Sequence, residues 1–193
     1  MTQTWKNWSG SQSAKPQDIY YPDRINVLQQ IVQCHSKIRV VGAGHSFSPL
    51  VATNDTLISL DNLQGLISHD RSTCQSQLYA GTRLYALADM LHPIQQALMN
   101  QGDIDQQSLA GAVSTGTHGT GASLQCLSAM VSGFELLTAE GELLWCDEVQ
   151  HEDIFTLGRV ALGSLGILTK ITMQNRPAYR LHEQQRLCPL REV

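Results

Sequence analysis

Lys37-Ile38-Arg39-Val40-Val41-Gly42-Ala43-Gly44-His45-Ser46 decides the reading of this chain, because a short strand runs there without a spacer into a glycine turn. Residues 37 to 41 are apolar and β-branched enough for a strand. Gly42 and Gly44 permit positive φ and let backbone approach a ligand closely. Just upstream, Pro22-Asp23 followed by Ile25, Leu28, Ile31 and Val32 has the spacing of a capped amphipathic helix. Helix, strand and ligand loop in that order predict an α+β or α/β domain.

Working outward, residues 57–60 and 77–80 read as strands, with Asn62, Gly65 and Asp70 marking turns between them. Thr82 is placed to cap a helix whose apolar face is Leu84, Leu87, Ala88 and Leu91, continuing to Leu98 with a break at Pro93. Residues 130–137, a turn at Ala139-Glu140-Gly141 and residues 142–146 make the clearest hairpin. Residues 153–162 have a helical pattern, Gly163 and Gly166 punctuate the chain, and residues 167–173 read as a strand ended by Asn175-Arg176-Pro177. A further strand is expected to begin within 187–193.

The chain has 193 residues, 42% hydrophobic and 16% charged, which is globular composition. Its net charge of −4, with no local cluster of Lys and Arg, excludes general attraction to a phosphate backbone, so nucleic acid is not an expected partner. No long uncharged apolar run predicts a membrane span. Cys34, Cys74, Cys126, Cys146 and Cys188 are odd in number and lack C-x-x-C spacing, which argues against a disulfide framework or a metal site and for a reducing compartment, the cytoplasm.

A second segment, Ser108 to Gly121, is as rich in glycine and hydroxyl residues as the first loop. A diphosphate needs convergent backbone N–H groups unobstructed by Cβ atoms, with hydroxyls as further donors, and an acidic protein can supply these without positive side chains. Two competing motifs fail. The dinucleotide fingerprint would need its third glycine where Phe47 stands, with Pro49 close behind, and a nucleophile elbow would need its closing glycine where Ser48 stands.

Trp5 to Gly10, Val41 to Phe47, Tyr79-Ala80-Gly81-Thr82, Gly102-Asp103-Ile104, Ser114 to Gly121 and Leu162 to Gly166, in this order and spacing, resemble the FAD-linked oxidases of the vanillyl-alcohol oxidase fold. Within them the likeness is to the aldonolactone and alditol oxidase branch. The resemblance implies a PCMH-type FAD-binding domain of two α/β subdomains with the cofactor bound between them. It sets the first subdomain at 1–78, the second at 79–180 and the start of a substrate domain at 181–193. It also implies that Val41, Gly42, Ala43, Gly44, His45 and Ser46 wrap the diphosphate. Asp103, Ser108, Gly111, Thr115, Gly116, Thr117 and His118 line the cofactor on this reading, and Ile167 meets it by backbone near the adenine.

His45 matches the family histidine that bonds covalently to the flavin 8α-methyl carbon, and a neutral imidazole is a competent nucleophile for that bond. Non-covalent contact is the other reading. His118 either donates to a phosphate or holds its own loop. Gly102 is expected to leave the reactive flavin edge open to dioxygen as acceptor. The implied chemistry is oxidation of a CH–OH group of a sugar-1,4-lactone or alditol by hydride transfer to flavin. The catalytic base is expected in a substrate domain beyond this chain, so that 193 residues alone turn over poorly. The reading from another class is a non-catalytic FAD-binding or electron-transfer module paired with a separate substrate subunit. A flavin reductase of the UDP-sugar-acid type on the same fold is disfavoured by Trp5 to Gly10 and His45.

Overall fold

The structure, a computed structural model, describes residues 3–189. In chain order the elements are β1 (Trp5–Lys6), β2 (Ser13–Ala14), β3 (Asp18–Tyr20), α1 (Ile25–Cys34), β4 (Ile38–Val41), β5 (Thr56–Ser59), β6 (Leu66–Asp70), β7 (Gln75–Tyr79) and α2 (Leu84–Leu91). There follow β8 (Gln96–Ala97), α3 (Leu109–Ser114), β9 (Val131–Leu137), β10 (Leu143–Asp147), α4 (Glu152–Gly158), β11 (Ile167–Gln174) and β12 (Arg176–Pro177). The mixture of helices with parallel and antiparallel strands is the α+β class that the sequence predicts.

Two sheets organise the chain. The first has the order β3-β5-β4 with both pairings parallel, and all four residues of its central strand β5 are buried, as a parallel sheet covered on both faces requires. Helix α1 connects β3 to β4 and buries Leu28 and Val32. The second sheet is antiparallel in the order β10-β9-β11-β7-β6. Phe134 on β9 stands opposite Ile171 on β11, and neither exposes surface. One hydrophobic cluster joins Leu28 and Ile58 of the first sheet layer to Leu78, Phe134, Leu137 and Ile171 of the second. Full burial of each such side chain stabilises by about 1.5–3 kcal/mol before conformational entropy is counted.

The change of sheet falls between Ser59 and Leu66, and β6 and β7 pair within the second sheet. Strand β6 escapes sequence reading because most of this edge strand is exposed and carries no apolar alternation. Helix α1 starts after Arg24 and not under a cap from Asp23, which pairs with Arg24 at the surface. Nor does Thr82 cap α2. Its hydroxyl donates to Tyr79 O at 2.6 Å and accepts from Gly65 N at 3.0 Å, leaving Arg83 at the N-cap.

The break expected at Pro93 is present: α2 ends at Leu91, a 3-10 turn over His92–Ile94 carries the proline, Gln95 takes a positive φ of 63°, and residues 96–97 form a strand paired with β12. Helix α4 stops at Gly158 rather than 162, and Leu162 and Gly163 then take positive φ of 54° and 78°, which a right-handed helix cannot contain. Residues 187–189 of the expected C-terminal strand carry no regular structure, and residues 190–193 lie outside the described residues.

Candidate functional site

A cleft with about 990 Å³ of atom-free space, part of it open to solvent, lies where the two sheets meet. The loop after β4 forms one wall, and α3 with its approach forms another. Leu60 after β5, Ala80 and Gly81 after β7, and residues 162–168 leading into β11 complete the lining. A ligand at the carboxyl end of a parallel strand such as β4 has the usual placement for sheets of this kind. Among the described residues the lining contains no Asp, Glu, Lys or Arg, and His45 is its one histidine.

The walls are held close by backbone. A Cβ on Gly42 would stand 2.0 Å from Ser108 Oγ, so glycine is required there, and Gly44 adopts φ +63° to turn the loop. Ser108 also caps α3 by accepting from Gly111 N at 3.3 Å. The glycine-rich segment 108–121 is thus not one loop. Leu109, Ala112 and Val113 recur at helical spacing and are buried, and this packing winds its first half into α3.

The fit to an anionic diphosphate is chemical. Glycine backbone from Gly42, Gly44 and Gly111 and hydroxyls from Ser46, Ser108, Ser114 and Thr115 line a cleft free of carboxylates. Of the residues singled out in the sequence, Val41 to Ser46, Ser108, Gly111, Thr115 and Ile167 all line this cleft. Asp103, Gly116, Thr117 and His118 do not. Thr117 is joined to the cleft indirectly, since its hydroxyl lies 3.3 Å from that of Thr115 and receives Gln107 Nε2 at 3.0 Å. The His118 ring contacts Gly119 O at 2.9 Å, which favours the reading that this histidine holds its own loop. Gly102 has a packing reason for lacking a side chain, because a Cβ there would meet His118 O at 3.2 Å.

Sequence reasoning did not single out Ser48, Leu50, Val51, Leu60, Gln107, Ala110, Ser114 or Leu168 as lining residues. Gln107 and Ser114 flank chosen positions, and their polarity was the available signal. Leu60 and Leu168 look like ordinary core residues and gave none.

His45 is held by its ring face. The indole of Trp8 stacks on its imidazole with centroids 4.5 Å apart and 9° between planes. Three hydrogen bonds bind the surrounding loop to the N-terminal ribbon: Trp8 N to Gly44 O at 3.1 Å, Asn7 Nδ2 to Ser46 O at 2.8 Å and Gln12 Nε2 to Phe47 O at 3.2 Å. Among the described residues no group of three or more His, Cys, Asp and Glu is gathered for a metal ion, and no helix is long and apolar enough to cross a membrane.

Residues 16–147 match the family model described as FAD binding domain. The chain is 36% identical over 186 residues to L-gulono-1,4-lactone dehydrogenase of Mycobacterium tuberculosis, covering 94% of this chain and 43% of that protein. It is 36% identical over 180 residues to a putative D-arabinono-1,4-lactone oxidase of Neurospora crassa, covering 91% and 32%. To L-gulonolactone oxidase of Scyliorhinus torazame it is 33% identical over 193 residues, covering 98% and 44%. It therefore spans less than half the length of these relatives. Among solved structures, a variant of cholesterol oxidase from Brevibacterium sterolicum shares the fold with a TM-score of 0.80 at 20% identity, covering 92% of this chain and 37% of the other.

Proposed function

Because this chain belongs to the FAD binding domain family, we propose that it is the cofactor-holding part of an oxidoreductase acting on a CH–OH group of a sugar-1,4-lactone or a related polyol. The observation that carries this reading is the cleft between the sheets, walled by glycine backbone and hydroxyls, free of charged side chains, with His45 in its lining. The names of the relatives support the lactone substrate. Those names divide between dehydrogenase and oxidase, and dioxygen is the acceptor we propose.

When bound, FAD supplies an acceptor for the hydride of the carbinol carbon. The residues of this chain bind and orient it. Val41 to Ser46 wrap the diphosphate, with Ser108, Gly111 and Thr115 facing them from α3 and its cap, and Ile167 offers backbone to the adenine end. Asp103, Gly116, Thr117 and His118 stand outside the cleft lining, Thr117 joined to Thr115 and Gln107 and His118 to its own loop. The base that takes the substrate hydroxyl proton comes from a substrate domain, of which 181–193 is the start.

His45 bonds to the flavin in this reading. A ring nitrogen joins the 8α-methyl carbon, and the imidazole N–H and one methyl C–H each lose a proton. Formation of that bond would be a two-electron oxidation, with dioxygen as the oxidant taking up both electrons and both protons as hydrogen peroxide. The five cysteines, all free thiols, support a reducing compartment, the cytoplasm.

Intact-mass spectrometry of denatured protein, beside His45→Ala, tests this. An increment of one FAD that survives denaturation and vanishes in the variant is the expected result. Failure of the wild-type chain to bind FAD in a fluorescence titration would overturn the cofactor itself.

A further inference from the structure

Residues 5–14 form a small ribbon, β1 and β2, whose turn does not line the cleft yet is tied to the loop that does. Asn7 is the hub of that turn and is buried. Its Oδ1 accepts from Gln12 N at 2.9 Å, and its Nδ2 donates one proton to Ser46 O and shares the other between Ser9 Oγ and Ser11 Oγ, both at 3.1 Å. With Trp8 N on Gly44 O and Gln12 Nε2 on Phe47 O, the turn grips three of the four carbonyls between residues 44 and 47. Trp8 itself is half exposed, 52%, and sits between two rings: parallel to His45 and edge-on to Phe47 at 5.4 Å and 67°.

A histidine that acts as nucleophile is ordinarily oriented by a hydrogen bond from one ring nitrogen to a carboxylate or carbonyl. His45 is oriented differently. Among the described residues, ring-nitrogen contacts to protein are made by His35, His118 and His182, and His45 makes none. The flat stack fixes its ring plane and engages neither ring nitrogen, in a residue that lines the cleft. Offset parallel rings at this separation attract, and the backbone bond from Trp8 N to Gly44 O ties the indole's residue to the loop that carries the imidazole.

We propose that Trp8 is the positioning residue for His45, holding the imidazole by its face so that a nitrogen stays aligned for bond formation with the flavin. The proposal rests on the reading of His45 as the attachment residue. It predicts that the rate of attachment depends on the ring at position 8, while the affinity for FAD, set by the diphosphate walls, does not.

Two measurements test it on the whole chain. In proton NMR spectra of the FAD-free protein, the His45 C–H signals, assigned by their loss in His45→Ala, are expected upfield of the other six histidines through the indole ring current. They should return toward them in Trp8→Ala. In intact-mass time courses after mixing with FAD, Trp8→Ala is expected to form adduct at least tenfold more slowly, with its FAD Kd within twofold of wild type. Trp8→Phe, which keeps a stacking ring, restores most of the rate.

An unshifted His45 signal overturns the proposal, as does adduct formation at the wild-type rate in Trp8→Ala. Loss of rate and affinity in parallel also overturns it, by making Trp8 a general support of the fold. No adduct in the wild type despite tight FAD binding overturns the covalent reading itself and the task given to Trp8 with it. An adduct that forms equally fast in wild type and Trp8→Ala overturns the Trp8 assignment alone.

Discussion

Gly42 and Ser108 meet across the cleft with no room for a side chain between them: a Cβ on Gly42 would lie 2.0 Å from Ser108 Oγ and 3.0 Å from its Cβ. The loop after β4 and the N-terminus of α3 are therefore fixed against each other by the absence of one methyl group. Gly42→Ala is expected to push the walls apart and weaken FAD binding at least tenfold in a fluorescence titration. Adding Ser108→Gly should recover part of the loss, because the two positions share one contact and their effects do not add. Equal losses in the single and double variants would show that the contact is not the cause.

Ser108 also caps α3, whose six residues have little stability of their own. Ser108→Ala keeps the bulk of the contact and removes the cap, so a loss of about 1 kcal/mol is expected in urea denaturation. An unchanged midpoint would mean that tertiary packing alone holds the helix start.

Phe134 is fully buried in β9, its ring 5.8 Å from that of Phe155, and it occupies the space that a side chain on Gly158 would need. Phe134→Ala should cost about 3–5 kcal/mol. Set against a total of about 5–15 kcal/mol for a domain, the variant should unfold at much lower urea, and Phe134→Leu should fall between it and wild type.

Backbone N–H groups of Gln150 and Val149, and then the Trp145 indole N–H, donate to Asp147 and hold its carboxyl below the usual carboxylate range. A carboxyl depressed in the folded chain stabilises it above the ordinary carboxylate range, and that contribution is lost as the pH falls through the folded value. The stability difference between wild type and Asp147→Asn should be constant above about pH 5 and close below about pH 4. Because Asp147 sits at the surface, the difference is small. Denaturation curves at several pH values measure it, and a difference that grows on acidification would reverse the assignment.

Burial, and then the neighbouring Asp147 charge, push the Cys146 thiol up, whereas Cys34 is exposed. Alkylation of the folded chain followed by peptide mapping should label Cys34 early and leave Cys146 unlabelled until denaturant is added. Early labelling of Cys146 would place β10 outside the folded core.

Much of the site was legible before any coordinates. Strand β4 running into Gly42 and Gly44 and the β9–β10 hairpin are local patterns of periodicity and glycine, and they appear where the pattern puts them, whereas the first half of the Ser108 segment winds into α3. The edge strand β6 was not legible, because exposed side chains leave no apolar alternation to read. The caps of α1 and α2 were misplaced for a related reason: Asp23 and Thr82 found partners elsewhere, Arg24 for one and Tyr79 and Gly65 for the other.

By itself the sequence determined that the chain mixes helix and strand, that two of its segments are rich in glycine and hydroxyls, and that His45 lies in the one that follows a strand. All of these follow from interactions within a few residues. Only the tertiary structure decided that β6 and β7 join the second sheet, that Thr115 lines the cleft while Thr117 and His118 do not, and that the indole of Trp8 covers the imidazole of His45. Those outcomes depend on which distant surfaces meet when the core closes, and the 36 residues between Trp8 and His45 carry no local signal that their rings will touch.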